Sequence, residues 1–516
     1  MVQAMRNRRE LLALAAAPLF GQGPGLLVSG RPRAPHGTMT GDVTPQSATI
    51  WSCADRPSRM RAAWWSSASG PRHSFPGPVC LPRSAFTGRV RLGNLPPGET
   101  IQYEVQFEDL DNPRAVSEPV RGRFQTPRAS HVRFCWSGDT CGQGWGINRG
   151  WGGLRIYETI RQTAPDFFLH CGDTIYADGP LPAAQALPDG GVWRNLVTPE
   201  KSKVAETLDE FRGNYRYNLL DEHLRRFHAE ISQIWQWDDH EVTNNWSPGK
   251  ELRDDPRYRE KDIRTLARRA RQAFFEFAPL GAEALAAGRV YRRIPYGPLL
   301  DVFVIDLRSY RGPNTGNRQT RPGAETALLG RAQTDWLIGE LRRSRALWKV
   351  IASDLPIGLI VGDGHDAEGR PRYEGIANGA GAALGRELEI ARLLSALKRN
   401  CVANVVWLTA DVHYTAALHY HPDRAVFRDF LPFWEFVSGP LHAGTFGPNA
   451  LDETFGPEVI FQKHPPAGRL NLSPAEGLQF FGQVDIDGRS QNLTVTLRDL
   501  EGAALFRQVL EPGGCA

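Results

Sequence analysis

Four apolar runs far apart in this chain each end in an aspartate. They are Phe134-Cys-Trp-Ser-Gly-Asp139, Phe167-Phe-Leu-His-Cys-Gly-Asp173, Val350-Ile-Ala-Ser-Asp354 and Val405-Val-Trp-Leu-Thr-Ala-Asp411. A fifth run, Ile234-Trp-Gln-Trp237, leads straight into Asp238, Asp239, His240 and Glu241. Short, nearly continuous apolar runs are the pattern of strands buried on both faces. Helical stretches separate them, near 154–163, 208–227, 263–277 and 333–343. Strands interleaved with helices predict a layered α/β or α+β core.

The placement of the acids predicts chemistry. In open α/β sheets, ligands bind beyond the carboxyl ends of the strands. Several carboxylates meeting there repel one another unless cations neutralise them. Taken singly, each Gly-Asp reads as a turn or a helix cap, and His413, two residues past Asp411, as a core histidine. Taken together they predict a metal cluster built from strand ends.

The flanking regions differ in pattern. From about 36 to 126 the chain carries short β-type runs (47–52, 61–65, 101–107) broken by turns such as Leu95-Pro-Pro-Gly98, which predicts a small β-sandwich of the immunoglobulin or fibronectin kind. The tail from 479 to 509 returns to alternation and predicts antiparallel strands closing the core. At the start, Arg8-Arg9 precedes a mild apolar stretch from about 11 to 20, too short to span a bilayer. This is the build of a twin-arginine export signal. It implies the twin-arginine translocation machinery as a partner and a periplasmic or secreted location. The expected units are therefore a signal segment 1–30, a β domain 31–128 and an α/β domain 129–516.

Composition excludes several classes. Hydrophobic residues at 41% rule out a disordered chain, and no stretch of 18 apolar residues predicts a membrane span in the mature form. Lys+Arg 61 against Asp+Glu 57 offers no basic excess for nucleic acid. The seven cysteines form no C-x-x-C pair, so a zinc ribbon is not expected. Cys53 and Cys80 share the predicted β domain and are candidates to pair in an oxidising compartment.

At these strand-end residues the chain resembles the calcineurin-like metallophosphoesterases, and more closely the PhoD-like (alkaline phosphatase D) family. The matching blocks are Asp139, Gly172-Asp-Thr-Ile-Tyr176, Asp239-His-Glu241, Asp354-Leu-Pro356 and Ala410-Asp-Val-His413. The string Trp237-Asp-Asp-His-Glu-Val242, with Asn244-Asn245 after it, is the most specific. The resemblance implies a metallophosphatase-type β-sandwich core flanked by helices, a dinuclear metal site and hydrolysis of phosphate esters. It implies that Asp139, Asp173, Tyr176 and His413 hold one metal, and that Asp173 bridges to a second held by Asp239, Asp354 and Asp411. His240 would contact the phosphate or protonate the leaving group. The family's better-known members carry cysteine where Asp139 stands, and neither Cys135 nor Cys141 fills that position. Oxygen ligands with one phenolate suit Fe³⁺ at the first site, and an all-oxygen second site favours Ca²⁺.

The expected activity is that of a secreted alkaline phosphatase-type hydrolase acting on a small phosphate ester, with metal-bound hydroxide attacking phosphorus in line. Arg308 and Arg311 follow the apolar run 299–305 and are candidate phosphate clamps. The segments 178–203 and 440–456 are expected to frame the pocket, with Trp193 and His442 touching substrate or packing. The alternatives are a phosphodiesterase or phospholipase on the same scaffold, a non-catalytic exported calcium-binding protein, and a carbohydrate-binding protein led by its β domain.

Overall fold

The apolar runs that carry the acids become the central strands of two facing sheets in the computed structural model, which describes residues 30–66 and 70–514. The export-type segment therefore lies outside the described residues, apart from Gly30. In the first sheet His131–Ser137, Phe167–Cys171 and Ser232–Gln236 run parallel, with Trp136 opposite Leu169 and Trp235 opposite His170. In the second, Leu300–Val304, Trp348–Ala352, Val405–Thr409 and Phe433–Val437 also run parallel. Parallel strands need crossover connections and are covered on both faces, which is why they read as unbroken apolar runs.

Between the sheets lies one apolar layer that includes Phe134, Trp136, Phe167, Leu169, Ile234, Val302, Val350 and Leu408. The outer face of the first sheet, with Phe168 and Trp235, is covered by the helices Arg155–Gln162, Leu208–Asn218, Glu222–Glu230 and Ile263–Phe277. The outer face of the second, with Phe303, Ile351 and Trp407, packs against Gly330–Arg343 and Glu387–Arg399. The result is a helix–sheet–sheet–helix sandwich, the layered α/β architecture expected. The helices start where their caps dictate. Thr207 and Glu210 form a reciprocal capping box, and Asp221 accepts from Leu224 N at 3.0 Å while also holding Leu154 N at 3.0 Å. The predicted tail strands are present: Phe480–Asp487 pairs antiparallel with His131–Ser137, and Leu493–Asp499 and Ala504–Leu510 continue the first sheet, each antiparallel to the strand before it. Gly482 stands opposite Trp136 because the indole lies over it; a β-carbon there would sit 2.0 Å from Trp136 Cη2.

The N-terminal region is all β, as the alternation predicted, but it is not a free-standing sandwich. Ser58–Ser66, His73–Cys80, Thr100–Asp109 and Val120–Gln125 form a separate four-stranded sheet. Thr38–Gly41, Ala48–Cys53 and Thr87–Leu92 instead extend the first core sheet, with Gly41 beside Gln233 in parallel. That junction requires glycine, since a β-carbon at Gly41 would meet Pro279 O at 2.2 Å. It is tied by a bidentate pair, Arg292 Nη2 to Asp42 Oδ1 at 2.8 Å and Nε to Oδ2 at 2.9 Å, and by Trp51 Nε1 donating to Glu276 O at 2.8 Å. The anticipated Cys53–Cys80 pair is absent. Both are buried free thiols, Cys53 Sγ–H directed at Ala85 O (3.2 Å) and Cys80 at Pro78 O (3.8 Å). Among the described residues no helix is long and apolar enough to cross a membrane.

Candidate metal centre

Three of the predicted acids and His413 sit at sharp bends beyond their strands. Asp139 (φ 70°), Asp173 (φ 53°), Asp411 (φ 66°) and His413 (φ 60°) all adopt the left-handed region, which costs a non-glycine residue about 1–3 kcal/mol. The surrounding backbone holds them there. Thr140 N donates to Asp173 O at 2.9 Å, Ala410 N to Asp354 O at 3.0 Å, and His442 N to Asp139 O at 2.9 Å. The loops touch so closely that a β-carbon at Gly172 would lie 2.4 Å from Asp238 Cβ. Strain clustered on four polar residues in one place marks a built site rather than four ordinary turns.

The side chains converge in three overlapping groups. Ligand atoms of Asp139, Asp173 and His413 lie within 4.8 Å of one another, as do those of Asp173, Asp239 and His240, and those of Asp238, Asp239 and Asp411. Asp173 links the first two groups and Asp239 the last two. His413 Nδ1–H donates to Gly444 O, which leaves Nε2 as the acceptor for Tyr176 O–H at 2.9 Å, and Asp139 Oδ1 lies 3.6 Å from that same nitrogen. Burial lowers His413 to about 4, so its imidazole is neutral and able to ligate.

The acids in this pocket are short of partners. Asp139 is 1% exposed, yet neither of its carboxylate oxygens has a hydrogen bond; Asp238 Oδ2 and Asp239 Oδ1 are unpartnered too. Burial, reinforced by neighbouring carboxylates, drives Asp139, Asp173, Asp238 and Asp411 well above the usual carboxylate range. Asp239 is the exception: despite burial, His240 and Arg308 hold it below. Unsatisfied buried carboxylate oxygens facing one another are what a bound cation would complete.

Arg308 does not stand where a phosphate clamp would. It is fully buried, and its guanidinium is enclosed by carboxylates: Nε contacts Asp238 and Asp354 (3.1 Å to the latter), Nη1 contacts Glu374, and Nη2 lies 3.5 Å from Asp411 and 3.9 Å from Asp239. With every donor group engaged, it acts as an internal counter-ion that spaces the acids. Asp354 is correspondingly satisfied, taking Arg308 on Oδ2 and Gln236 Nε2 on Oδ1 at 2.9 Å, so Asp238 rather than Asp354 completes the group with Asp239 and Asp411. Arg311 differs. It is buried, one Nη2 serves Glu374 O and Asn314 Oδ1, and Nε and Nη1 have no acceptor.

His240 is oriented by a residue the motif pattern did not single out. Its Nδ1 pairs with Asp178 Oδ1 at 2.6 Å, while Asn244 N holds Asp178 Oδ2 at 2.8 Å and the His240 backbone N–H reaches Asp173 Oδ1 at 3.1 Å. Burial opposes charging the ring, but Asp178, Asp239 and Asp173 together outweigh it and raise His240 well above its ordinary value. Asp178, though buried, is held down to about 2 by the same pair. Glu241 binds two ligand loops together, accepting Thr174 N and Oγ1 at 2.6 Å each and Asp238 N at 2.8 Å. Trp193 and His442 pack. Trp193 Nε1 bonds Asn195, His442 Nε2 bonds Gly146 O at 3.0 Å, and both rings lie against Trp151. Cys135 and Cys141 are buried thiols that belong to none of the three groups.

Comparison with known proteins identifies the family and the fold. The model of the PhoD-like phosphatase family matches residues 134–497, and that of the PhoD-like phosphatase N-terminal domain matches 26–128. Alkaline phosphatase D of Bacillus subtilis (strain 168) is 28% identical over 320 residues, covering 60% of this chain and 51% of the relative, so the match spans about half that protein's length. A solved structure of PhoD superposes with a TM-score of 0.69 at 20% identity, covering 94% of this chain and 91% of the other. Purple acid phosphatase PPD1 from yellow lupin (Lupinus luteus) seeds gives 0.57 at 12% identity, covering 92% and 73%. These two likenesses establish the metallophosphatase fold.

Proposed function

Because this chain belongs to the PhoD-like phosphatase family, we propose that it is a metal-dependent phosphoric ester hydrolase whose centre is the pocket of strand-end acids. The observation that carries the reading is Asp139, a buried carboxylate with neither oxygen bonded, beside Asp173 and His413. The donor set fits two ions. Asp139, Asp173, Tyr176 and His413 would hold one, and Asp239, Asp411 and Asp238 a second, with Asp173 between them and Asp354 behind. The first set, with a phenol and an imidazole, suits Fe³⁺; the second, all carboxylate, suits Ca²⁺. Bound there, the ions would neutralise phosphate oxygens and acidify a water placed in line with the leaving group.

The chain's own residues do the rest. Asp178 occupies His240 Nδ1 and favours the charged ring, so Nε2 carries the proton that the departing alkoxide oxygen takes up. Arg311 brings its two unpartnered N–H groups to the phosphate oxygens. Arg308 keeps Asp238, Asp354 and Asp411 apart and oriented without touching substrate. The enzyme is taken to be exported in folded form by the twin-arginine route and to work in the periplasm or outside the cell, a reading supported by Arg8-Arg9 ahead of the apolar stretch. Its units are taken as 1–30, 31–128 and 129–516.

Hydrolysis of p-nitrophenyl phosphate and bis(p-nitrophenyl) phosphate by the metal-loaded protein and by its Asp173→Asn variant tests the activity. Turnover of either ester that Asp173→Asn abolishes supports the reading, and the preferred ester tells a monoesterase from a diesterase. Absence of turnover on both, with metals bound, overturns it.

A further inference from the structure

Asp239 belongs to two of the three ligand groups, and the residue that fixes it belongs to none. The backbone N–H of Asn245 donates to Asp239 Oδ2, which leaves Oδ1 as the unpartnered oxygen. Asn245 lies in the left-handed region (φ 53°), in a loop outside helix and strand. Two segments far away in sequence hold it there. Its side chain donates from Nδ2 to Asp363 Oδ1 at 2.7 Å, and its carbonyl accepts Asn314 Nδ2 at 3.1 Å. Asn314 Nδ2 also donates to Asp363 Oδ2 at 3.0 Å, which closes a ring of three residues.

Asn314 uses its full capacity in this ring. An asparagine side chain offers two N–H donors and two acceptor lone pairs. Both donors are taken by Asn245 O and Asp363, and Oδ1 accepts Arg311 Nη2 at 3.1 Å and Arg386 Nη2 at 2.9 Å. Four partners decide which way the amide faces, because only its oxygen can meet the two guanidinium groups. Arg386 is a firm anchor for it. This arginine is buried and also donates to the carbonyl oxygens of Tyr373 (3.0 Å), Glu374 (2.8 Å) and Pro313 (2.8 Å). Asp363 stands on the hairpin of Gly362–His365 and Pro371–Tyr373, most of which is exposed. Its carboxylate nevertheless turns to the two asparagines. Arg372 supports the hairpin from outside, with Nε donating to Asp363 O at 3.2 Å and Nη2 4.0 Å from Oδ2.

Ligands of a metal ion are oriented by hydrogen bonds from residues that do not touch the ion, and loss of such a partner costs about 10–100-fold in metal affinity. We propose that Asn314 and Asp363 are positioning residues for the metal centre. They lock Asn245 so that its N–H holds Asp239 Oδ2 and leaves Oδ1 to the second ion. This rests on the assignment of that ion to Asp238, Asp239 and Asp411. It adds that the affinity for the ion is set by a loop and a hairpin that contribute no ligand.

Calorimetric titration with Ca²⁺ tests this on the parent, Asn314→Leu, Asp363→Ala and Arg372→Ala, each dialysed free of metal, with Tm measured on the same samples. Asn314→Leu removes all four bonds, and Asp363→Ala removes two of the ring's bonds from an exposed hairpin where folding is not at stake. Each is expected to weaken Ca²⁺ binding about tenfold or more. Arg372→Ala loosens the hairpin but keeps the Asp363 carboxylate, and is expected to stay within about twofold of the parent. Parental Ca²⁺ affinity in Asp363→Ala, whatever its Tm, overturns the proposal, since a merely structural bond would lower the Tm alone. Equal weakening in Arg372→Ala overturns it too, by making any disturbance of the hairpin sufficient. A parent that takes up no Ca²⁺ overturns the assignment of the second ion itself, and the proposal with it.

Discussion

Asp139→Asn is expected to change protein stability in opposite directions with and without metal. In the chelated protein the Asp139 carboxyl is buried, unpaired and pushed upward chiefly by desolvation. A group whose folded pKa is raised has its full stability contribution below the unfolded value and loses it as pH rises. Keeping such a carboxyl protonated costs about 1.4 kcal/mol for each pH unit above about 3.9, which sets a ceiling of about 4 kcal/mol at pH 7. Asparagine has the same shape and no charge, and its unpartnered amide costs about 1–3 kcal/mol. The metal-free variant should therefore be more stable than the parent, by at most about 3 kcal/mol at pH 7, and the gap should widen from pH 5 to pH 7. With about 2.1 cal/mol/K of unfolding entropy per residue over roughly 480 residues, each kcal/mol moves the Tm by about 1 °C. In metal the order reverses, because the parent gains about 4 kcal/mol from a ligand at a thousand times its Kd and the variant loses most of that. Differential scanning calorimetry of both proteins, chelated and metal-loaded, at two pH values measures all of this. If Asp139→Asn is destabilising by the same amount in both states, the carboxylate is a structural partner and the reasoning fails.

Three further outcomes follow from the same geometry. Arg308→Met removes the one guanidinium shared by Asp238, Asp354, Glu374 and Asp411, and breaking a buried pair of this kind costs about 3–5 kcal/mol; a variant with unchanged Tm but raised KM would restore the clamp role. His240→Ala is expected to keep the full metal content while turnover falls by about 10²–10⁴-fold, and Asp178→Asn to move the alkaline limb of the kcat profile to lower pH; metal loss in His240→Ala would make the ring a ligand instead. Finally, burial holds His36 and His442 down to about 4 and His170 and His228 to about 3. Such groups stabilise the fold above the unfolded value of about 6.5 and cease to as pH falls towards their folded values. Between pH 7.5 and 5.5 each of the four removes about 1.4 kcal/mol, so His228→Phe should make the change in Tm over this range differ from the parent's by about 1 °C in the direction of greater acid stability; an unchanged pH dependence contradicts its burial as a neutral ring.

The strand-end acids were legible because two physical signals coincide on them. A parallel strand buried on both faces shows as an apolar run, and the residue that ends it is the first free to reach a crevice, so Asp139, Asp173, Asp354 and Asp411 could be read without coordinates. What a carboxylate meets after that point was not legible. Asp354 and Asp238 have the same chemistry, and only the positions of Gln236 and Arg308 separate the satisfied acid from the unsatisfied one. Arg308 follows a strand like a surface clamp, and nothing local shows that Glu374, 66 residues later, encloses it. Asp178 lies in a loop with no period to mark it, although its position two residues past Tyr176 is a signal that could have prompted the question. The N-terminal region's alternation marked its strands but not their partners. Asp42 finds Arg292 250 residues away, and so the sheet boundary crosses the expected domain boundary.

The most direct test is elemental analysis of the parent protein and of Asp173→Asn, each purified without chelator and dialysed against metal-free buffer. Two or more tightly held ions per parent chain are expected, with loss of at least one of them together with turnover in the variant. A parent that binds no metal, or a variant that keeps both its ions and its activity, contradicts this expectation.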